Sequence, residues 1–474
     1  MRIAELSGKR VAIWGYGREG AAALAALNTR LPALPVTLLC SEAEACVVAE
    51  RASRLAALPP DATAPCGSAG RGAALAVITT APDADALSAF DIVIKSPGIS
   101  IYRPEVLLAQ HAGTHFTSGT ALWFAEHPEA RVIAVTGTKG KSTVTALIAH
   151  LLRARGVRVA LAGNIGLPLL ELLDTAQPPD WWVIELSSFQ TREAHAVDVG
   201  VINNLYEEHL DWHGTRERYA DDKLALATAA KALVVNAKQP ELVARTGAHV
   251  RRSTFGDVSG WHVAEGAVWR ETQRVFEISK SPLPGLHNAM NLCAALAAIE
   301  AADEDALAAA AGIASFRPLP HRLQTLGERD GCTFVDDSIA TTPQATLEAL
   351  ASFSDQPVSV LVGGYERGLD WQAFAEQVRA TPPRAIVTMG ANGARIHATL
   401  RAVGGDYRLE SADALADAFA IARVQTPEGG VVLLSPGAPS FDQFKNYAAR
   451  GCAFAQLAGF DPASIGAIAG LGIA

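Results

Sequence analysis

Residues 131–156 read RVIAVTGTKGKSTVTALIAHLLRARG, and the order of their parts decides what fold to expect. Val132 to Val135 is a short apolar run with β-branched residues, which predicts a buried strand. Thr136 to Ser142 is a glycine-punctuated turn. From Thr143 to Arg155 apolar side chains recur at helical spacing, as Val144, Leu147, Ile148, Leu151 and Leu152. Strand, glycine-rich turn and helix in that order are the layout of a phosphate-binding loop. The N–H groups of the turn and the helix N-terminus supply partial positive charge, and Lys141 supplies a full one. The loop would run through Gly137, Thr138, Lys139, Gly140, Lys141, Ser142 and Thr143, with a Ser142 or Thr143 hydroxyl offered to Mg²⁺. Val135 stands where the full Walker pattern has glycine, so the motif is the shorter T-G-x-x-G-K-S-T. The competing reading is an incidental helix start; the flanking strand and helix argue against it.

At 474 residues the chain has room for about three domains. Apolar residues make up 49% and charged residues 19%, enough to build cores. The net charge is −9, with no block of like charges. A nucleic-acid or anionic-membrane binder would show a basic stripe, so neither is expected. The opening MRIAELSGKRVAIWG lacks the apolar centre of a signal peptide, and no apolar run is long enough to span a bilayer. Cys40, Cys46, Cys66, Cys293, Cys332 and Cys452 are scattered without a CxxC pair. They read as reduced thiols of a cytoplasmic protein rather than as zinc ligands.

On the N-terminal side, Val11 to Trp14 followed by Gly15-Tyr-Gly-Arg-Glu-Gly20 predicts a strand, a GxGxxG turn and a helix. VTLLC (36–40) and DIVIK (91–95) are further strands, so residues 1–117 read as a Rossmann-like domain. The turn suits NAD, another phosphate-bearing ligand, or a plain tight turn. NAD also wants an acid ending the second strand, but Cys40-Ser41 stands there with Glu42 displaced. Residues 52–90, rich in Ala, Pro and Gly, are expected to be a loop-like excursion.

On the C-terminal side, WWVIELSS (181–188) is a buried strand carrying Glu185. A carboxylate in such a run is costly unless paired or metal-bound, so it faces Mg²⁺ or an Arg or Lys partner. His209 follows the strand that includes Val199–Leu205, where open α/β sheets collect ligands; it is a ligand or a surface histidine. Lys223 by itself is an ordinary lysine of the helix expected over Arg216–Ala230. Asn288 and Asn291 lie one turn apart on a helix face, for a base edge or a cap. Residues 252–280 look like short strands. Beyond the proline-punctuated 316–322, CTFVDDS, VSVLVGG, AIVTMG and VVLLSPG alternate with helices as another doubly wound unit, with small or polar residues at the strand ends.

Taken together, TGTKGKST (136–143), GNIGLP (163–168), ELSSFQ (185–190), EEHLDWHG (207–214), YADDKL (219–224), GLHNAMN (285–291), LPHRL (319–323), DDSIATT (336–342), LVGGYERGLDW (361–371) and LLSPGAPSFDQFKNYAARG (433–451) resemble the Mur ligases of peptidoglycan synthesis, most closely the MurD type, nearly end to end. The resemblance implies an α/β chain of three domains: a Rossmann-like UDP-binding domain over 1–117, a central P-loop ATP-binding domain over 118–316 and a Rossmann-like amino-acid-binding domain over 317–474. It implies ATP and two Mg²⁺ ions, with Lys141 and Ser142 at the phosphates. Ser142, Glu185, His209 and a carbamylated Lys223 would be the metal ligands. Asn288, Asn291, Arg322 and Asp337 fall at the nucleotide, Asn291 facing adenine. Arg18, Glu19, Ser41, Ser96, Pro97 and Gly98 fall where UDP is held, and Asn164, Ser187 and Ser188 near the muramoyl group.

The implied reaction phosphorylates the alanyl carboxylate of UDP-N-acetylmuramoyl-L-alanine, and the amine of glutamate then displaces phosphate. Lys141, Lys223 and His209 would be its catalytic residues. Thr341, Arg367, Ser440 and Tyr447 would face the glutamate. Three of the segments depart from the usual pattern: Ile339 replaces a lysine, Arg367 replaces a lysine, and Tyr447 replaces a phenylalanine. Moving one fixed cation and changing another alters how a dicarboxylate is clamped. The departures resemble a branch that adds L-glutamate, with a separate epimerase acting on the product; D-glutamate is the alternative. A monomeric, cytoplasmic enzyme is expected.

Overall fold

A computed structural model describes residues 1–56, 75–206, 210–466 and 468–474. Its strands form three sheets of five, ten and six strands, as expected of an α/β chain built from repeated strand–helix units.

The first sheet comprises β1 (Val11–Trp14), β2 (Val36–Leu39), β3 (Leu75–Ile78), β4 (Ile92–Lys95) and β5 (His115–Thr117), in the order β3-β2-β1-β4-β5. All its pairings are parallel. The order reverses between β1 and β4, so their C-terminal ends frame a crevice. The glycine turn leads from β1 into the helix Arg18–Arg30. A Cβ on Gly20 would lie 2.0 Å from the Gly15 carbonyl oxygen, so the helix can sit this close only with glycine there. The expected excursion over 52–90 is corrected where it is described: residues 52–56 end the helix Glu42–Ala56, Leu75–Ile78 is an edge strand and Ala84–Ser88 is a short helix. An edge strand of four residues gives too short an apolar run to stand out among alanines. The remainder, 57–74, lies outside the described residues.

The central sheet contains β6 (Val132–Thr136), β7 (Val159–Gly163), β8 (Trp181–Glu185), β9 (Val197–Ile202), β10 (Ala230–Asn236), β11 (Arg252–Phe255), β12 (Trp261–Ala264), β13 (Ala267–Arg270) and β14 (Gln273–Glu277). Its inner strands run β10-β9-β6-β8-β7, all parallel. The Val144, Leu147, Ile148, Leu151 and Leu152 face of the helix Lys141–Ala154 is fully buried. One apolar core runs from Ile13 and Leu24 of the first sheet's layer through Trp123 and Leu170 to Ala134 and Ile184 of the central layer.

The third sheet comprises β15 (Gln324–Arg329), β16 (Cys332–Asp336), β17 (Val358–Val362), β18 (Ala385–Thr388), β19 (Arg408–Ser411) and β20 (Val431–Leu434), in the order β15-β16-β20-β17-β18-β19. Only β15 is antiparallel to its neighbour. The last strand, β21 (Gly472–Ile473), returns to the central sheet and pairs antiparallel with β7. Arg153 fastens this return by donating to the Gly470 and Gly472 carbonyls at 2.5 and 2.9 Å. Two compact units result: 1–277 with 290–312 and 470–474, and 278–289 with 313–469. Among the described residues no helix is long and apolar enough to cross a membrane, and five cysteines are free.

Candidate active site

The phosphate loop lies between β6 and its helix, at the C-terminal edge of the central sheet. The helix begins at Lys141, two residues earlier than the apolar spacing alone indicated, so Lys141 and Ser142 belong to its first turn. Gly140 caps it with φ 77°. A Cβ there would meet Asn291 Oδ1 at 2.4 Å and Asn203 Nδ2 at 2.5 Å, so both the backbone conformation and the space require glycine. Lys141 Nζ donates to the Thr138 carbonyl at 3.0 Å. Asn204 Oδ1 accepts from the N–H groups of Thr138 and Lys139 at 3.0 and 2.8 Å. Asn203 Nδ2 reaches the Lys139 carbonyl and Asn291 Oδ1, both at 3.0 Å. The two amides of the Asn288–Asn291 pair therefore divide: Asn291 meets the loop's support, and Asn288 Nδ2 donates to the Pro284 carbonyl at 2.7 Å.

Beside the loop, β8 ends at Glu185, so this carboxylate stands at a strand terminus and Ser187 and Ser188 lie beyond it. Glu185 is 1% exposed. Oε1 accepts from Asn164 Nδ2 at 2.8 Å, while Oε2 has no hydrogen-bond partner among the described residues. A buried carboxylate oxygen left open, with no Arg or Lys bonded to it, fits a cation ligand better than a structural ion pair. Lys223, on the helix Arg216–Ala229, is buried and donates from Nζ to the Gly137 carbonyl at 2.8 Å. Helix position and burial thus bring Lys223 to the loop, which no local pattern in YADDKL conveyed. No three His, Cys, Asp or Glu side chains cluster among the described residues. Mg²⁺ held here would draw on Glu185, Ser142 and phosphate oxygens. His209 lies outside the described residues.

Arg18 and Glu19 open the helix that follows β1, and Ser41, Ser96 and Gly98 follow β2 and β4. Ser96 Oγ donates to the Gly15 carbonyl at 3.2 Å, and Arg18 Nη1 to the Gly166 carbonyl at 3.1 Å. Glu44 accepts from the Tyr16 N–H at 2.8 Å and from Ser41 Oγ at 3.0 Å. Its carboxylate is thereby engaged with the glycine turn and with Ser41. Burial, then the neighbouring Glu193 and Glu171, push the Glu19 carboxyl up to about 7.

In the other unit, the ends of β16, β20 and β17 are adjacent. Asp337 accepts from Ser435 Oγ at 2.8 Å and the Leu323 N–H at 3.2 Å. Burial pushes its carboxyl up to about 7, against the pull of those hydrogen bonds and of Arg322. Arg450, 1% exposed, ties two strand ends together: its guanidinium donates to Ser338 Oγ, the Ser338 carbonyl and the Ala438 carbonyl at 3.0, 2.8 and 2.9 Å. Its Nη1 has no partner among the described residues, and burial lowers its pKa to about 10. Ser440 is buried, Thr341 and Ile339 half-buried, and Arg367 and Tyr447 exposed.

Residues 135–299 match the Mur ligase middle domain, and residues 321–437 match the Mur ligase, glutamate ligase domain. A UDP-N-acetylmuramoyl-L-alanine--L-glutamate ligase of Xanthomonas euvesicatoria pv. vesicatoria (strain 85-10) is 52% identical over 487 aligned residues, covering 100% of both chains. The chain belongs to the Mur ligase family. A ligase of the same description from Micromonospora sp. (strain ATCC 39149 / NRRL 15099 / SCC 1413) is 38% identical, over 96% of this chain and 98% of its own. Among solved structures, the UDP-N-acetylmuramate-alanine ligase MurC of Thermotoga maritima superposes with a TM-score of 0.60 at 17% identity, covering 95% of this chain and 99% of that one. MurF of Thermotoga maritima in complex with ADP gives 0.57 at 16%, covering 93% and 97%. At these identities the likeness is one of fold.

Several residues of this Mur ligase's site escaped sequence reasoning. Asn203 and Asn204 were visible as paired amides at a strand end, a position where amides often brace a loop. Arg450, His213 and Asp222 gave no local signal, because burial and pairing, not their spacing in the chain, single them out.

Proposed function

We propose that this Mur ligase adds L-glutamate to UDP-N-acetylmuramoyl-L-alanine through an acyl phosphate, with ATP converted to ADP and phosphate, as a step in making peptidoglycan precursors. The observation that carries the choice of amino acid is the end-to-end identity of 52% with an L-glutamate ligase. The geometry supports the chemistry. Two polyanions, a triphosphate and the acceptor's carboxylate, must meet in line. The phosphate loop from Gly137 to Thr143, with Lys141 in its helix's first turn, lies beside the open oxygen of Glu185. Two bound Mg²⁺ ions would offset the remaining repulsion and polarise the transferring phosphoryl group. Ser142, Glu185, His209 and Lys223, the last as a carbamate, are the ligands proposed for them.

The same reading assigns residues 1–117 to the sugar nucleotide, 118–316 to ATP and 317–474 to glutamate. Asn288, Asn291, Arg322 and Asp337 serve the nucleotide. Arg18, Glu19, Ser41, Ser96 and Gly98 serve UDP, and Asn164, Ser187 and Ser188 the muramoyl end. Thr341, Arg367, Ser440 and Tyr447 serve glutamate. The enzyme acts in the cytoplasm as a monomer, and an epimerase inverts the new residue afterwards. The test is a ligation assay offering L- and D-glutamate separately with UDP-N-acetylmuramoyl-L-alanine. Amide formation with the L form is expected; exclusive use of the D form would overturn the stereochemical assignment.

A further inference from the structure

Three buried side chains near the phosphate loop form a hydrogen-bonded chain, and the reading above gives two of them, His213 and Asp222, no task. Ser188 Oγ lies 3.0 Å from His213 Nε2, and His213 Nδ1 lies 2.6 Å from Asp222 Oδ2. Ser188, His213 and Asp222 are 4%, 0% and 1% exposed. Asp222 also accepts from Tyr102 at 2.8 Å and from Arg192. Arg192 and Tyr102 thus both donate to it, and the guanidinium pairs with it as a carboxylate. An ionised carboxylate only accepts, so His213 Nδ1 carries a hydrogen. In the neutral ring Nε2 is then an acceptor, and the Ser188 hydroxyl must donate to it. The ring cannot turn away, because Phe189 stacks on it at 5.5 Å and Tyr219 meets it edge-on at 5.1 Å.

The polarity is therefore set. Ser188 Oγ gives its hydrogen inward and keeps only lone pairs for anything that reaches it, with no second partner among the described residues. The trio is also tied to the surroundings of the phosphate loop. Asp222 immediately precedes Lys223, whose Nζ holds the Gly137 carbonyl of the phosphate loop. Thr191 Oγ1 bonds both the Asp222 and the Ser188 carbonyls, at 2.5 and 3.3 Å. Ser188 follows Glu185 by three residues at the end of β8.

We propose that Ser188 and His213 carry the proton that the incoming amine must lose, with Asp222 as the positioning residue. The inference rests on the ligase reading. The neutral amine nitrogen bonds to the acyl carbon, and the bond from that carbon to the phosphate oxygen breaks. One N–H proton passes to Ser188 Oγ as the hydroxyl's own proton moves to His213 Nε2. The proton then returns through Ser188 to the departing phosphate, which leaves as hydrogen phosphate. Amine and acyl phosphate thus become amide and phosphate with no outside base. Asp222 stays ionised and stabilises the transient imidazolium, the division of labour seen in serine hydrolases.

The test uses the full chain with His213→Asn, whose amide nitrogen can keep the bond to Asp222 while nothing remains to accept from Ser188. With glutamate as the amine, kcat is expected to fall about 10²-fold or more with little change in the KM for glutamate. Acyl-phosphate formation, followed by positional isotope exchange in ATP with the acceptor but no amine, should persist. Asp222→Asn, which keeps the shape but no longer holds the His213 tautomer, should show the same split and carries the test should His213→Asn not fold. Wild-type kcat in both variants, or isotope exchange lost in step with ligation, would overturn the relay alone. A wild-type chain that joins neither form of glutamate to the acceptor would overturn the ligase reading and the relay together.

Discussion

At the phosphate loop the key cation, Lys141, sits within the motif that announces it, in the first turn of a helix whose own apolar face is buried. At the edge of the third sheet the buried cation is Arg450, which reaches Ser338 across 112 positions of sequence. The first cation is placed by short-range geometry: strand, turn and helix can form only one kind of anion cradle. The second is placed by strand order, which brings the end of β16 beside the end of β20. A local motif therefore identifies a ligand class, whereas a long-range one builds the shape that selects within it. The departure at Ile339 belongs to the second kind, since the side chain that replaces a lysine there sits one residue from the serine that Arg450 holds.

The comparison can be broken most directly at the loop. Lys141→Ala should lower kcat by about 10²–10³-fold or more, since one fixed charge at the transferring phosphoryl group is lost; turnover within a few per cent of wild type in a phosphate-release assay would refute its role. Lys223→Ala should also inactivate, but acetate or another short carboxylate should restore part of the rate if a carbamate is what acts there. Absence of any rescue at high acetate would count against the carbamate.

At the third sheet the expected effect is on stability first. Arg450→Leu leaves the Ser338 and Ala438 carbonyls without their donor and should destabilise that unit by about 2–3 kcal/mol, read as an earlier melting transition. Unchanged melting would show that the guanidinium is dispensable to the fold. Ile339→Lys restores a cation at the half-buried position and should shift the preference between L- and D-glutamate by about tenfold, the worth of one modest contact. No change in the ratio of kcat/KM values would remove this position from the choice of hand.

The smallest effect concerns Glu19. Its carboxyl titrates near 7 in the folded chain against an ordinary 4.5. Between those values the folded state binds more protons than the unfolded one, so stability falls as pH rises through this window. Glu19→Gln should therefore gain in melting temperature relative to wild type at pH values above the window and lose that gain below it. Parallel melting curves at both ends would show that the carboxyl is not perturbed.

Much of the architecture was legible because its periodicities are local. Three runs of alternating strands and helices are present where the apolar patterns put them, and the Lys141–Ala154 helix buries the stripe its spacing marked. The excursion over 52–90 was misread because β3 offers only four residues at a sheet edge, and a short run among alanines has no clear period. Strand β21 escaped altogether: Gly472 and Ile473 owe their pairing to Arg153 and β7, not to their own propensities. In the site, Lys141 and Glu185 were legible as a charge in a glycine turn and a carboxylate in an apolar strand. Lys223 was legible only through the family resemblance, since by its own pattern nothing but its burial against Gly137 separates it from any other helix lysine.

By itself the sequence determined the class of chemistry. A glycine turn, a lysine and the start of a helix are contiguous, and contiguous residues meet in whatever fold contains them. Tertiary structure alone decided which side chains act in concert with them. The open oxygen of Glu185 and the Ser188–His213–Asp222 chain exist because the fold brings separate segments within hydrogen-bond range. Burial then removes water, the partner that would otherwise satisfy them.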